Sequence, residues 1–499
     1  MNTSSTSNPF QSSPPPTPLE HFDLVILGGG ITGAGIARQA QLQGLKTLLL
    51  EKNDFAFGTS SKSGKLIHGG LRYLKQGQWR LVWESCLEKA RLLNIMAPQL
   101  VTKTSFYFPI FKSTKPGLFL TYLGMLLYWP LTFPYLSSFP KILSKNTFLK
   151  HFPFFKKKDL KAVLCFEDCK ALDFRLVLET LKSFVQEGGI AYNYCFIKTQ
   201  YFKEGRYYLN LSNEKYCTAN CLIVAAGIWT PFILKELSLP LAPPSLSFTS
   251  GIHLTFSSTR LPIKQTMTLL AKKDQRPLYA VSWGSYILVG TTDVFLSKEE
   301  LEKTQFSPSI SKEDKLYILE TLQEYFPELN LSFQDILSAR IGIRPLVGSH
   351  EGKKESELSR DYMLDYHHSL QGNIVAITGG KLTTYRKMAE KTVNLIQKKF
   401  FPERKNWKSN SLSISLLGKN LNQSHKELTL DLLKIYFEEE WATTLTDCIL
   451  RRSECFLAQN IPPKEIWPKI AQLAHYYNPK YSENFYLEEL YTLFPKAST

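Results

Sequence analysis

FDLVILGGGITGAGIARQAQLQGLKTLLLEKNDFAFGTSSKSGKLIHGGLRY, residues Phe22 to Tyr73, opens with a strand, a glycine turn, a helix and a second strand that ends on an acid. The continuous apolar run from Leu24 to Leu27 predicts a parallel strand buried on both faces. Gly28, Gly30 and Gly33 carry the G-x-G-x-x-G spacing. The first permits a tight turn, the second brings the backbone up to a pyrophosphate, and the third lets the helix lie against the strand. The helix start offers unpaired N–H groups and a positive dipole end to phosphate. Thr47 to Leu50 predicts the next strand, and Glu51 at its end is placed to accept hydrogen bonds from an adenosine ribose.

A plain nicotinamide-binding domain would continue to alternate helices and strands after Glu51. Here the chain runs instead through Gly58-Thr59-Ser60-Ser61 and Lys65-Leu66-Ile67-His68-Gly69-Gly70-Leu71-Arg72-Tyr73. Hydroxyls and close-approach glycines suit a segment lying along a diphosphate and a flavin edge, which points to FAD. At these residues the chain resembles the FAD-dependent glycerol-3-phosphate dehydrogenases of the aerobic, respiratory type. Gly64 stands where that family usually has a second serine.

The 499 residues are too many for one compact core. A hydrophobic content of 43% with 21% charged residues is that of a globular protein. The net charge of +16 favours anionic partners, although a solvated lysine-rich surface explains charge alone as well. The lysines are scattered and form no basic stripe with stacking aromatics, so nucleic acid is not expected as a partner. Eight cysteines occur without C-x-x-C pairs or histidine ligand sets, which reads as reduced, buried thiols and no metal site. Residues 1 to 20 contain no Lys or Arg and no apolar core. They read as a disordered polar tail, neither secretory signal nor transit peptide, which leaves the catalytic domain on the cytoplasmic side.

Leu81 to Leu93 has helical periodicity. Gly117 to Leu136 then has no charged residue over twenty positions, and Lys112, Lys115, Lys141 and Lys145 flank it. Pro130 and Pro134 interrupt its second half, while Tyr122, Tyr128, Trp129 and Tyr135 are residue types that settle at a headgroup interface. Three readings compete: an element dipping into one leaflet, a buried core hairpin, and a true span. The first is favoured, with Lys156-Lys157-Lys158 helping to hold it on anionic lipid. Asp173 and Arg175 read as a helix-start cap and ion pair opening a helix that runs to about Gln186. Cys221 to Gly227 is another buried strand ending in Ala225-Ala226-Gly227.

Residues 246 to 365 predict a mostly antiparallel substrate domain, with strands at Gly251–Phe256, Leu278–Ser282 and Tyr286–Gly290. Arginines beside small residues, Arg344 and Arg360 above all, make a plausible cradle for a phosphate dianion. Asn373 to Arg386 reads as a buried strand, the glycine pair Gly379-Gly380, then Lys381, Leu382 and Thr383 before a helix to about Gln397. Capped by Thr383 or Thr384, that helix would aim its N-terminus at the flavin pyrimidine edge, where reduced flavin carries negative charge. The run G-G-K-L-T-T-Y-R matches the family without a change, and the resemblance extends over residues 22 to 400.

The resemblance implies an α/β fold: an FAD-binding Rossmann-type domain, glutathione-reductase/D-amino-acid-oxidase-like, with a mostly antiparallel substrate domain and a C-terminal helical cap. The expected layout is a tail (1–20), FAD-binding parts at 21–110, 161–245 and 366–400, a membrane-associating insertion at 111–160, the substrate domain at 246–365 and a helical unit at 401–499. FAD would lie on Gly28, Gly30, Gly33, Glu51, Thr59, Ser60, Ser61, Lys65, Leu66, His68, Gly69, Gly70, Ala226, Gly227, Gly379, Gly380, Lys381, Leu382 and Thr383. Substrate would meet Arg72, Tyr73, His253, Arg344, Arg360 and Lys381, with His253, Arg344 and Lys381 catalytic. The implied reaction is oxidation of sn-glycerol 3-phosphate to dihydroxyacetone phosphate by hydride transfer to FAD, electrons passing to a membrane quinone. His253 is the candidate base because an unperturbed imidazole titrates near neutrality, and Lys381 is the alternative. An oxidase releasing hydrogen peroxide and an amine oxidase of the same fold are the competing readings. The expected place is the cytoplasmic face of the inner (cytoplasmic) membrane, peripheral or monotopic, on an anionic lipid surface. Oligomeric state stays open, a homodimer included.

Overall fold

The computed structural model describes residues 20–74, 77–132, 138–212, 214–348, 361–404, 407, 415–416 and 427–495, the side chain of Arg72 excepted. Residues 1–19 of the expected N-terminal tail lie outside the described residues, and Glu20 opens β1. β1 (Glu20–Leu27), α1 (Ile31–Leu42) and β2 (Thr47–Leu50) form the anticipated unit, and every residue of β2 is buried.

Two sheets organise the molecule. In the first, Gly372–Gly379, Tyr216–Val224, β1, β2 and Ile190–Tyr192 run parallel in that order. Helices cover it: α1 packs against Asp173–Gln186 and Tyr385–Phe400. Burial on both faces is why these strands read as unbroken apolar runs. Tyr362–Ser369 adds an antiparallel edge to this sheet, although its first residues were expected to close the substrate domain.

The second sheet centres on Leu246–Ser257, paired over nearly its whole length with Ile336–Val347. Its other ladders are antiparallel except that Thr266–Leu270 runs parallel to Val101–Phe111. Val101–Phe111 and Leu160–Ala171 pair with each other in this sheet, and not in the flavin domain to which the expected boundaries gave them. The reason lies in their composition. VTKTSFYFPIF mixes polar and apolar positions, as a half-covered antiparallel strand does, and lacks the apolar run of a doubly covered one.

α2 (Trp79–Arg91) and α3 (Leu118–Thr132) lie together at one side of this sheet. α3 continues through Pro130, so the expected break there does not occur; Pro134 lies outside the described residues. It is neither a core hairpin nor long enough to span: Met125, Tyr128 and Thr132 are buried, while Phe119 (80% exposed), Leu120, Leu123 and Leu127 face outward. Trp79 and Trp83 on α2 are exposed as well. Among the described residues no helix is long and apolar enough to cross a membrane. Of the lysine cluster, Lys156 is engaged by Glu324 and Lys157 by Glu328. From residue 430 onward the described chain is helical, with a core of its own around Leu433, Tyr436, Trp467 and Tyr486. The eight cysteines are all unpaired, and every one but Cys165 is buried.

The packing at the first turn is tight enough to test. A Cβ on Gly33 would stand 1.9 Å from the Gly28 carbonyl oxygen, where nothing flexible can yield. Overpacking of this kind costs about 1–3 kcal/mol. Gly33→Ala is expected to lower the thermal midpoint and to purify with flavin well below one equivalent; full loading in that variant would contradict the geometry.

Candidate functional site

A cavity of ≈ 440 Å³ opens above the carboxyl ends of the first sheet's strands, the usual ligand position in such folds. Gly28, Gly30, Glu51, Thr59, Ser60, Ala226, Gly227, Gly379, Gly380, Lys381 and Leu382 line it. The glycines are there for space. A Cβ on Gly28, whose φ is +119°, would meet the Ala225 carbonyl oxygen at 2.5 Å. Gly33 is not in the wall; it lets α1 close onto the turn, as its place in the motif requires. The Glu51 carboxylate accepts from the N–H of Gly29 at 2.7 Å and of Asn53 at 2.8 Å, which holds it at the mouth of the turn. Burial raises its pKa above the usual carboxylate value, although both N–H groups oppose the shift. Ser60 accepts from the N–H of Ile31 at 3.0 Å and so ties the hydroxyl segment to the start of α1. A narrow cleft with a helix N-terminus, backbone-lined glycine turns and an acid at the strand end fits an extended dinucleotide, FAD included.

Other expected cofactor residues support the wall from behind. Ser61 is buried, and its carbonyl oxygen accepts from Arg340 Nη1 at 3.4 Å. Lys65 is only 1% exposed, its ammonium paired with Asp173, so it holds the loop and does not face the cavity. Asp173 therefore caps its loop partner and not Arg175, which pairs with Glu440 and Glu179. Leu66 lies in a short strand beside Lys170. The His68 N–H donates to the Thr383 hydroxyl at 3.3 Å, and the Gly69 N–H to the Tyr128 hydroxyl at 3.0 Å. Gly70, at φ +80°, leaves room for the Tyr73 ring, which a Cβ would strike at 2.3 Å. Neither Thr383 nor Thr384 caps the following helix with its side chain; the dipole end is present, the hydroxyl cap is not.

The groups expected around substrate converge from both sheets. Lys381 Nζ lies over the Tyr73 ring, 4.0 Å from its centroid. Arg344, half-buried, donates to Asp293 at 3.1 Å and to the Thr291 hydroxyl at 2.7 Å. Pro345, its neighbour in sequence, lines the cavity beside Lys381. His253 is buried in the adjacent strand, and a Cβ on Gly64 would come 3.3 Å from its Nε2. Burial first, then the charges of Arg344, Lys65 and Arg340, push the imidazole down to about 3. The ring is therefore neutral throughout the physiological range, and its proton affinity is not the near-neutral one expected of a free imidazole. Arg360 and the side chain of Arg72 lie outside the described residues.

Sequence reasoning missed the far end of the cavity, where Phe196, Phe232, Ile233, Leu237 and Phe306 supply an apolar wall. Phe232, Ile233 and Leu237 follow the strand end that the sequence did flag. Phe306 carries no local signal, because it arrives from a turn between two surface helices.

A family model described as "FAD dependent oxidoreductase" matches residues 23–386. The aerobic glycerol-3-phosphate dehydrogenase of Staphylococcus aureus is 35% identical over 387 residues, 76% of this chain and 68% of that one. Among solved structures, a glycerol-3-phosphate dehydrogenase from Bacillus halodurans complexed with FAD superposes with a TM-score of 0.73 at 24% identity, covering 95% of this chain and 94% of that one. The L-α-glycerophosphate oxidase of Mycoplasma pneumoniae with FAD bound gives 0.60 at 18% identity, over 80% of this chain and 100% of that one. These structural likenesses bear on the fold, and the sequence matches on descent. With its glycine turns, ribose-side acid and FAD-sized cleft, the chain belongs to the FAD-dependent oxidoreductase family, in the branch of the aerobic glycerol-3-phosphate dehydrogenases.

Proposed function

We propose that this protein oxidises sn-glycerol 3-phosphate to dihydroxyacetone phosphate and passes the electrons to a membrane quinone. One observation carries the reading: the buried imidazole of His253 stands among Arg344, Lys65 and Arg340 and against Gly64, the residue after Ser63 of the cavity wall. Such a field suits a dianionic substrate that must lose a hydroxyl proton. Bound FAD supplies the hydride acceptor for the secondary carbon. Arg344, held by Asp293 and Thr291, supplies a fixed charge for the phosphate, and the motif positions of Arg360 and Arg72 assign them to the same role. His253 takes the hydroxyl proton at Nε2, the nitrogen that lies beside Gly64. Entry of the phosphate dianion offsets the surrounding positive charges and raises the basicity of the ring when the proton has to move. Lys381, fixed over Tyr73, would lend its positive charge to the reduced flavin and to the developing ketone oxygen once FAD is bound.

The outward apolar face of α3 and the exposed tryptophans of α2 support quinone as the acceptor, with docking on the cytoplasmic face of the cytoplasmic membrane. Lys112, Lys115 and Lys141, exposed, and Lys145, half-buried, flank this segment in sequence and favour anionic lipid.

In an anaerobic titration, glycerol 3-phosphate is expected to bleach the flavin, and a short-chain quinone to restore the colour faster than air does. Rapid recolouring by air with peroxide would make the protein an oxidase, and no bleaching would end the substrate assignment. His253→Ala is expected to lower kcat by about 10²-fold or more with a much smaller change in KM. Because the folded ring titrates near 3, the wild-type kcat/KM profile, which reports the free enzyme, is expected to show no acid limb at 6.5 from this residue. Leu120→Glu with Leu127→Glu, both exposed, is expected to leave the fold intact and to abolish flotation with anionic vesicles. Undiminished flotation would remove α3 from the docking surface.

A further inference from the structure

The loop from Glu51 to Lys62 has two faces. One meets the cavity through Glu51, Gly58, Thr59 and Ser60. The other rests on a segment nearly four hundred residues later in the chain. Asp54 is fully buried on that underside and accepts from Arg452 Nη2 at 2.7 Å, Arg452 Nη1 at 2.8 Å and Arg451 Nε at 2.5 Å. Asn193 Nδ2 adds a fourth donor at 3.2 Å and also holds the Trp441 carbonyl oxygen at 2.7 Å. Burial would raise the Asp54 pKa, but Arg452 and Arg451 more than offset it and keep the carboxyl below its usual range. Arg451 reaches on to Asp447, which accepts from the Tyr194 hydroxyl at 2.8 Å.

Packing follows the same line. The Phe55 ring fills the space beside Gly29, where a Cβ would approach it to 2.5 Å, and it meets Trp441 edge-on at 5.3 Å. The Arg451 guanidinium lies over Phe57, 5.6 Å from the ring centroid. Arg340 bridges the loop and the late segment, donating to the carbonyl oxygens of Ser61 and Leu450 at 3.4 and 3.3 Å. Asp54 is thus three residues from the ribose-side acid and four from the hydroxyl segment, and among the described residues its ion-pair partners, Arg451 and Arg452, both come from the C-terminal unit.

We infer that residues 440–452 form a clasp on the cofactor loop, with Arg451 and Arg452 acting through Asp54 as positioning residues for Glu51 and Gly58–Ser60. The C-terminal helical unit is then part of the FAD-binding apparatus without touching the cofactor. Coupling between two such sites is reciprocal: the order that the clasp lends to the loop is returned to the clasp when FAD binds. Glu440, in the same segment, supplies the contrast. Its carboxylate pairs with Arg175 and Lys182 on the helix Asp173–Gln186 and not with Asp54, while its carbonyl oxygen accepts from Arg452 Nε at 2.8 Å.

The test uses the holoenzyme and reads FAD release as the rise in flavin fluorescence after dilution. Asp54→Asn keeps the shape and removes the charge-assisted bonds; release is expected to accelerate about tenfold or more. Glu440→Gln removes an equally buried charge but leaves both arginines on Asp54 and the Glu440 carbonyl bond to Arg452; it is expected to lower thermal stability while leaving release within about twofold of the wild type. Amide exchange supplies the second readout: protons in 440–452 are expected to exchange more slowly in holo than in apo protein, and Asp54→Asn to erase that difference. Unchanged release in Asp54→Asn, equal effects of the two variants, or exchange in 440–452 that ignores FAD would each overturn the clasp. Should Asp54→Asn fail to fold, Tyr194→Phe weakens the same network from its rim, and the same two readouts decide.

Discussion

One buried ion pair holds the two sheets of this molecule in working relation. The ammonium of Lys65 and the carboxylate of Asp173 are both almost inaccessible to water, and Asp173 also accepts from the Ser63 N–H at 2.9 Å and the Ser63 hydroxyl at 2.8 Å. Lys65 in turn receives the Ala171 N–H on its carbonyl oxygen at 3.0 Å. The start of a flavin-sheet helix, the end of a strand in the second sheet and the segment beside the cavity are thereby pinned at one point. Breaking such a pair on one side leaves an uncompensated charge in a dry interior, a penalty of about 3–5 kcal/mol. The positions of Gly64, and hence the approach to His253, depend on it.

Electrostatics in the substrate region favour occupancy over emptiness. Arg344, Lys65 and Arg340 bring positive charge close to His253, whose pKa burial lowers first and these charges lower further. Like charges held together cost folding energy, so a field of this kind is a functional expense that the rest of the structure has to carry. Gly251 and Gly290 make it sterically feasible. A Cβ on the first would stand 2.4 Å from Arg344 Nη2, and one on the second 2.4 Å from the His253 ring.

What could be read from the chain alone follows from the range of the interactions involved. The strand–turn–helix unit at 20–50 is local, its periodicities and glycines are sufficient, and its elements appeared within a few residues of their expected ends. The glycine pair before Lys381 was equally legible. Three things were not. Lys65 looked like a cofactor ligand because nothing nearby announced that Asp173 would bury it. The boundary drawn at residue 110 left most of Val101–Phe111 with the flavin domain, because its partner strand lies beyond an insertion. The pKa of His253 depends on charges brought from other strands, so no local reading could supply it. The C-terminal unit showed no motif for a related reason: its contacts with the loop use ordinary arginines whose meaning is set by where the fold puts them.

The strand order of the first sheet has a consequence for how the protein is made. β1 and its glycine turn leave the ribosome early, but their parallel neighbour is Tyr216–Val224, and the next is Gly372–Gly379. Translation at about 5–20 residues per second separates these arrivals by tens of seconds. Until then the apolar faces of β1 and β2 have no sheet to join, and parallel pairing of such long reach is slow in its own right. The nascent chain thus carries its cofactor turn in an unfinished state for most of its synthesis, a long interval of dependence on chaperones built into the topology itself.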